Sequence, residues 1–165
     1  METKYILSVL VEDNSGVLAK VVGLFSRRGF NIHSLAVGVT NIENVSRITI
    51  EVIGDELTVE QISKQLNKLV DVIKIKVSKS DELVKRGLLL VKVKISPKNR
   101  SEVIQIADIF RANVVDVSKN TVTAELTGND SKLNAFLDML APYGIEETAM
   151  TGMIALERGT NVLKA

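Results

Sequence analysis

The same order of strand-like and helix-like periodicity runs through each half of the chain, and that order limits the fold more than any other feature. Residues 4–11 (KYILSVLV) are β-rich and mostly apolar, as a strand inside a sheet requires. Val17, Leu18, Val21, Val22, Leu24 and Phe25 then fall on one helical face. Asn14 or Ser15 is placed to cap that helix, Arg27 and Arg28 suit the dipole in its last turn, and Gly29 provides a stop. Residues 31–40 (NIHSLAVGVT) read as a second strand. After the turn NIEN, residues 46–53 point Ile48, Ile50 and Val52 one way and Arg47, Thr49 and Glu51 the other. Gly54-Asp55 breaks the strand, Val59, Ile62, Leu66 and Leu69 make a helical stripe, and residues 70–77 alternate Ile73, Ile75 and Val77 against lysines. The order is βαββαβ.

The second half repeats the order without repeating the sequence. Past the charged stretch SKSDELVKRG, residues 88–95 put Leu89, Val91, Val93 and Ile95 on one side. Pro97 ends that strand, and Ser101 is placed to cap a helix carrying Val103, Ile106, Ala107 and Phe110. Short strands over 114–117 and 122–126 flank the turn SKNT. Asp130 is placed to cap a helix with Leu133, Phe136, Leu137 and Leu140; Pro142 and Gly144 stop it, and residues 145–156 contain a last strand. The expected class is therefore α+β, as two ferredoxin-like βαββαβ domains. Their expected limits are 1–78 and 88–165, with 79–87 as a linker.

Composition removes several functions. The 165 residues carry 21 basic and 20 acidic side chains, a net charge of +1, which argues against a nucleic-acid binder that would need a basic face. The same element order builds RNA-binding modules that stack bases on strand aromatics, but only 4% of this chain is aromatic and no strand pairs them. With no cysteine and one histidine, His33, thiol chemistry, disulfides and a histidine metal cluster within one chain are excluded. No nucleophile–histidine pair or phosphate-binding glycine loop occurs at the spacing such sites need, so no catalytic residue is expected. No apolar run approaches the roughly 20 residues that span a bilayer. The opening METKYILSVLVED turns acidic too early for a secretory signal, and a cytoplasmic location is expected.

What remains is the loop DNSGVL, residues 13–18. A helix begins with N–H groups that lack intrahelical partners and carry the positive end of the dipole. A carboxylate gains charge-assisted hydrogen bonds there, and Gly16 would let it approach the backbone. An ammonium group on the same ligand needs an acceptor, which Asp13 or a backbone carbonyl can supply. On spacing alone, Asp13, Asn14 and Ser15 read better as a turn with a cap than as a binding loop.

The stretch ILSVLVEDNSGVLAKVVGLFSRRGFNIHSLAVG, with SRITIEVIGDE and QISKQLNKLVDVIKI, makes residues 1–77 resemble an ACT domain. With LLLVKVK, IFRANVVDVS and KLNAFLDMLAPYGIEETAMTGMIAL, the whole chain resembles the regulatory small subunits of acetolactate synthase (acetohydroxyacid synthase). The resemblance implies a separate catalytic chain using thiamine diphosphate, FAD and magnesium, and no cofactor or metal in this one. It implies stimulation of that chain and feedback inhibition by a branched-chain amino acid, usually valine. It further implies a homodimer or higher homo-oligomer with the effector held between two ACT domains. Asp13, Asn14, Ser15, Gly16, Val17 and Leu18 would form one wall, and Asn31 and Ile32 of the partner chain the other. The family often carries Asn where this chain has Asp13, and NIES where it has NIHS. A free-standing amino-acid sensor is the rival reading.

Overall fold

The computed structural model of the chain describes residues 3–165, which form two compact units. One unit runs through Lys85 and also takes up Gly152–Ala165; the other is Arg86–Thr151.

In the first unit the elements are β1 (Thr3–Glu12), α1 (Val17–Arg27), β2 (Ile32–Val39), β3 (Val45–Gly54), α2 (Glu56–Leu66) and β4 (Val72–Lys79). The strands pair antiparallel in the order β2-β3-β1-β4, so β1 and β3 lie inside the sheet and β2 on an edge. Tyr5, Leu7, Val9 and Val11 of β1 share a face with Ile48, Ile50 and Val52 of β3. They pack against Val17, Val21, Leu24 and Phe25 of α1 and Val59, Ile62 and Leu66 of α2. Each large apolar side chain so buried contributes about 1.5–3 kcal/mol.

Helix ends follow local chemistry. The Asp55 carboxylate accepts the Thr58 N–H at 2.7 Å and caps α2. Those hydrogen bonds from Thr58 hold its carboxyl below the usual range. At the C-terminus of α1, Gly29 adopts φ 68°, Gly29 N–H donates to the Ser26 carbonyl and Phe30 N–H to the Phe25 carbonyl. That is a Schellman stop, and Gly29 supplies the left-handed residue it needs.

Arg47, Thr49 and Glu51 lie on the opposite face of this sheet, as the alternation expects, yet that face is covered as well. Thr49 and Glu51 are buried, as are Ile6, Ser8 and Leu10. The cover comes from two segments. Residues 79–87, expected as a linker, make one turn of 3-10 helix (Ser80–Glu82) and run straight into β5 (Leu83–Lys94). The strand β9 (Ile154–Glu157), expected with the second domain, pairs with β5, and Ala155 packs with Leu83 and Ile6.

The second unit has the same plan. It comprises β5 from Arg86 onward, α3 (Arg100–Ile109), β6 (Asn113–Val117), β7 (Thr121–Gly128), α4 (Asp130–Leu140) and β8 (Ile145–Met150). Its strands lie in the order β6-β7-β5-β8. Leu89, Val91, Val93, Val103, Ile106, Leu133, Phe136 and Leu140 are buried, and the rings of Phe110 and Phe136 meet at 5.2 Å. Two expected caps move by a residue or more. Ser101 lies inside α3, whose N-cap is Asn99, with its side chain turned to accept the Ser96 N–H instead. Asp130 lies in the first turn of α4, and Asn129 is the cap, accepting the Lys132 N–H at 3.0 Å. Asn129→Ala is expected to cost about 1 kcal/mol, read as a lower urea midpoint at unchanged slope, because it strands that donor.

Candidate functional site

The loop between β1 and α1 is held from both sides by backbone. Glu12 N–H donates to the Asp71 carbonyl and Asp13 N–H to the Asn44 carbonyl, each at 2.9 Å. Asn44 reaches that position with φ 62° in the turn before β3. Lys20 on α1 ties the same region together with a 2.9 Å ion pair to Asp71. The hydrogen bond from Lys20 outweighs the opposing effect of burial and holds the Asp71 carboxyl below its usual range.

Neither Asn14 nor Ser15 caps α1. The residue at the N-cap is Gly16, with φ 85° and no side-chain hydrogen bond to the helix. The Asn14 amide turns away and donates to the Glu12 carboxylate at 3.1 Å. A Cβ on Gly16 would meet nothing within 4 Å, so the space beside Gly16 is open, while the Val17 N–H, the first of α1, donates to the Asn14 carbonyl at 3.4 Å. Glycine is required here by conformation, since other residues are strained at this φ.

The eight expected site residues divide into two places. Asp13, Asn14, Ser15 and Gly16 are exposed, and Leu18 is 40% exposed. Val17 is 4% exposed and packs in the core, so its side chain lines no open site; only its backbone belongs to the loop. Asn31 is exposed just beyond the Schellman stop, and Ile32, half-buried, starts β2. Helix α1 separates the groups: its 11 residues rise about 16 Å. One chain therefore cannot place Gly16 and Asn31 against the same small molecule. His33 is an exposed residue of β2.

Strand β2 leaves one edge unpaired within its sheet, with Val37 47% and Val39 80% exposed. Such an edge accepts another strand unless it is blunted. Two clefts of about 330 and 390 Å³ lie elsewhere in the first unit, one around Arg47 and Lys76, the other between α2 and β4; neither is lined by any of the eight residues. Among the described residues no group of three or more histidine, cysteine or acidic side chains is disposed to hold a metal ion. No helix among them is long and apolar enough to cross a membrane.

Residues 7–74 match the family described as the AHAS small subunit-like ACT domain, and residues 86–159 that described as the small subunit of acetolactate synthase. Over 153 residues the chain is 54% identical to the acetolactate synthase small subunit of Mycobacterium bovis, covering 93% of this chain and 91% of that one. The chain belongs to the acetolactate synthase small-subunit family. A probable small subunit from Archaeoglobus fulgidus is 48% identical over 156 residues, covering 94% of this chain and 98% of its own. The crystal structure of the Thermotoga maritima small subunit matches with a TM-score of 0.89 at 39% identity, over 96% of this chain and 99% of that one. Membership gives this chain a regulatory role, with an ACT domain in its N-terminal half.

The sequence did not disclose the cover on the second face of the first sheet. Glu51, with its side chain 1% exposed, pairs there with Lys85 at 2.9 Å. A lone acid opposite an apolar alternation reads as solvated, and only the return of a distant segment buries it. The one available signal was Lys85 itself, on the buried side of a strand that continues the 89-91-93 alternation back to Leu83.

Proposed function

We propose that this small subunit stimulates the catalytic chain of acetolactate synthase and makes it sensitive to a branched-chain amino acid, valine first. The catalytic chain carries thiamine diphosphate, FAD and magnesium; this one carries the effector. The observation that supports the location is the N-terminus of α1, where Gly16 gives the helix no side-chain cap and has open space beside it.

In this reading the effector carboxylate sits on the start of α1, gaining about 0.3–1 kcal/mol, or about 2 kcal/mol if partly buried. Asp13, exposed beside it, accepts the ammonium group. Leu18 and Ile32 contact the branched side chain, whose burial contributes about 1.5–3 kcal/mol. Alanine, lacking two methyl-sized groups, loses about 1.6 kcal/mol, roughly fifteenfold. Valine, leucine and isoleucine differ by a methylene and are separated less sharply.

Because α1 holds Gly16 and Asn31 apart, the site is completed by a second chain. The unpaired edge of β2 supports the way it joins, by pairing with its own copy to extend the sheet across the dimer. Replacing Asn31 by Ala is expected to weaken valine binding about two- to twelvefold, the effect of about 0.5–1.5 kcal/mol for one polar contact. Calorimetry with the full chain reads it, and an unchanged affinity assigns Asn31 to the turn alone.

The role itself is tested by reconstitution. The purified chain is added to its catalytic subunit, and acetolactate formation is measured with and without valine, leucine and isoleucine. Higher activity on addition and a fall with one of the three are expected. Activity indifferent to the chain and to all three amino acids would overturn the reading.

A further inference from the structure

The segment Gly152–Glu157 lies across the first sheet on the face away from its helices. Gly152 comes so close to β2 that a Cβ would run into the Leu35 carbonyl and come to 3.0 Å from the Ala36 nitrogen. No residue but glycine fits there without moving backbone. The next N–H, of Met153, donates to the Ser34 hydroxyl at 2.8 Å, and the Met153 side chain is 3% exposed. Farther on, the Arg47 guanidinium of β3 donates to the Ala155 carbonyl at 3.0 Å, and Lys76 of β4 holds the Glu157 carboxylate at 2.6 Å. The strap thus engages β2, β3 and β4 in turn, with its closest approach on β2.

The register of β2 gives that approach a consequence. Ile32 faces Val52 while Ser34 faces Glu51, so the pairing of β2 with β3 shifts between Ile32 and Ser34. A shift of this kind re-aims the residues on its outer side. Those residues are Asn31 and Ile32, and the strap grips the strand at Ser34 and Leu35, immediately on the inner side.

We propose that Gly152 and Ser34 are positioning residues for the effector site: the docked strap fixes the bulged start of β2, and so the wall that Asn31 and Ile32 present. This rests on the reading of that wall as part of the effector site. The coupling is reciprocal, so an effector that binds the fixed wall also holds the strap down. Gly152 follows Thr151 directly in the chain, so the strap begins where the chain re-enters the first unit.

The full-length chain tests it by hydrogen exchange and calorimetry on wild type, Ser34→Ala and Gly152→Ala. In wild type, saturating L-valine is expected to slow exchange of the strap amides, Met153 above all, by at least about fivefold, the lower end of usual coupling between sites. Ser34→Ala is expected to speed strap exchange and weaken valine binding by about fivefold or more. Gly152→Ala is expected to do both more strongly. If Gly152→Ala does not fold, Ser34→Ala, which adds no bulk, decides. Wild-type valine affinity in Ser34→Ala overturns this inference alone. A wild-type chain that binds none of valine, leucine or isoleucine overturns the effector reading and this inference with it.

Discussion

Gly16→Asp is expected to abolish detectable effector binding. The new carboxylate would stand at the first amides of α1, where the ligand carboxylate is proposed to sit, and like charges at that end oppose one another. Losing the anion's place alone is worth up to about 2 kcal/mol, or about thirtyfold in affinity, before repulsion is counted. The substitution also imposes strain, because the position has φ 85°. Gly16→Ala separates the two effects. It carries the same strain, about 1–2 kcal/mol, with no charge and no clash, since nothing lies within 4 Å of its Cβ. Calorimetry with valine should therefore rank wild type above Gly16→Ala, and Gly16→Ala well above Gly16→Asp. Equal affinities for the two variants would remove the anion from the start of α1.

Lys85→Met is expected to destabilise the first unit by about 3 kcal/mol. Glu51 is fully enclosed, and one of its oxygens is held by Lys85 at 2.9 Å and approached by Lys4 at 3.6 Å. Its other oxygen is buried without a hydrogen-bond partner. Removing one member of a buried pair strands the other charge in low dielectric, typically at about 3–5 kcal/mol. Lys4, a third exposed, remains to compensate in part, which places the effect at the lower end. Removing both charges in Glu51→Leu/Lys85→Met is expected to recover most of the loss, because two apolar side chains owe nothing to desolvation. Urea unfolding followed by circular dichroism measures both. A single variant within about 0.5 kcal/mol of wild type, the range of ordinary surface changes, would mean that Glu51 finds another partner.

These two positions show where the sequence speaks and where it falls silent. The strand and helix alternations carried the architecture of both units, because burial on one face imposes its period on the chain directly. Leu89, Val91 and Val93 are buried as their spacing requires, and Gly29 stops α1 as its type suggests. Caps were less legible. Asn129 and Asp130 are both competent, and which one caps depends on the backbone angle at which the chain leaves β7. Asn14 and Ser15 have capping side chains, yet the chain enters α1 through a left-handed Gly16 that leaves them outside. Least legible was whatever depends on a segment returning from far along the chain. Nothing around Gly152 in the sequence announces the Leu35 carbonyl set against it, and nothing beside Glu51 announces Lys85. The candidate site shows the same boundary: Gly16 and Asn31 stand out singly, but that one chain cannot bring them together follows only from the length of α1.

A complementation of two defective chains tests that division most directly. Gly16→Asp spoils the first wall, and Asn31→Trp fills the second. If each site takes one wall from each chain of a two-fold dimer, an exchanged mixed dimer has one doubly spoiled site and one intact site. Equal mixing of the two variants, neither of which binds valine well alone, should then restore wild-type affinity at about a quarter of the wild-type number of sites. A mixture that forms mixed dimers but restores no wild-type site would contradict a site shared between the two chains.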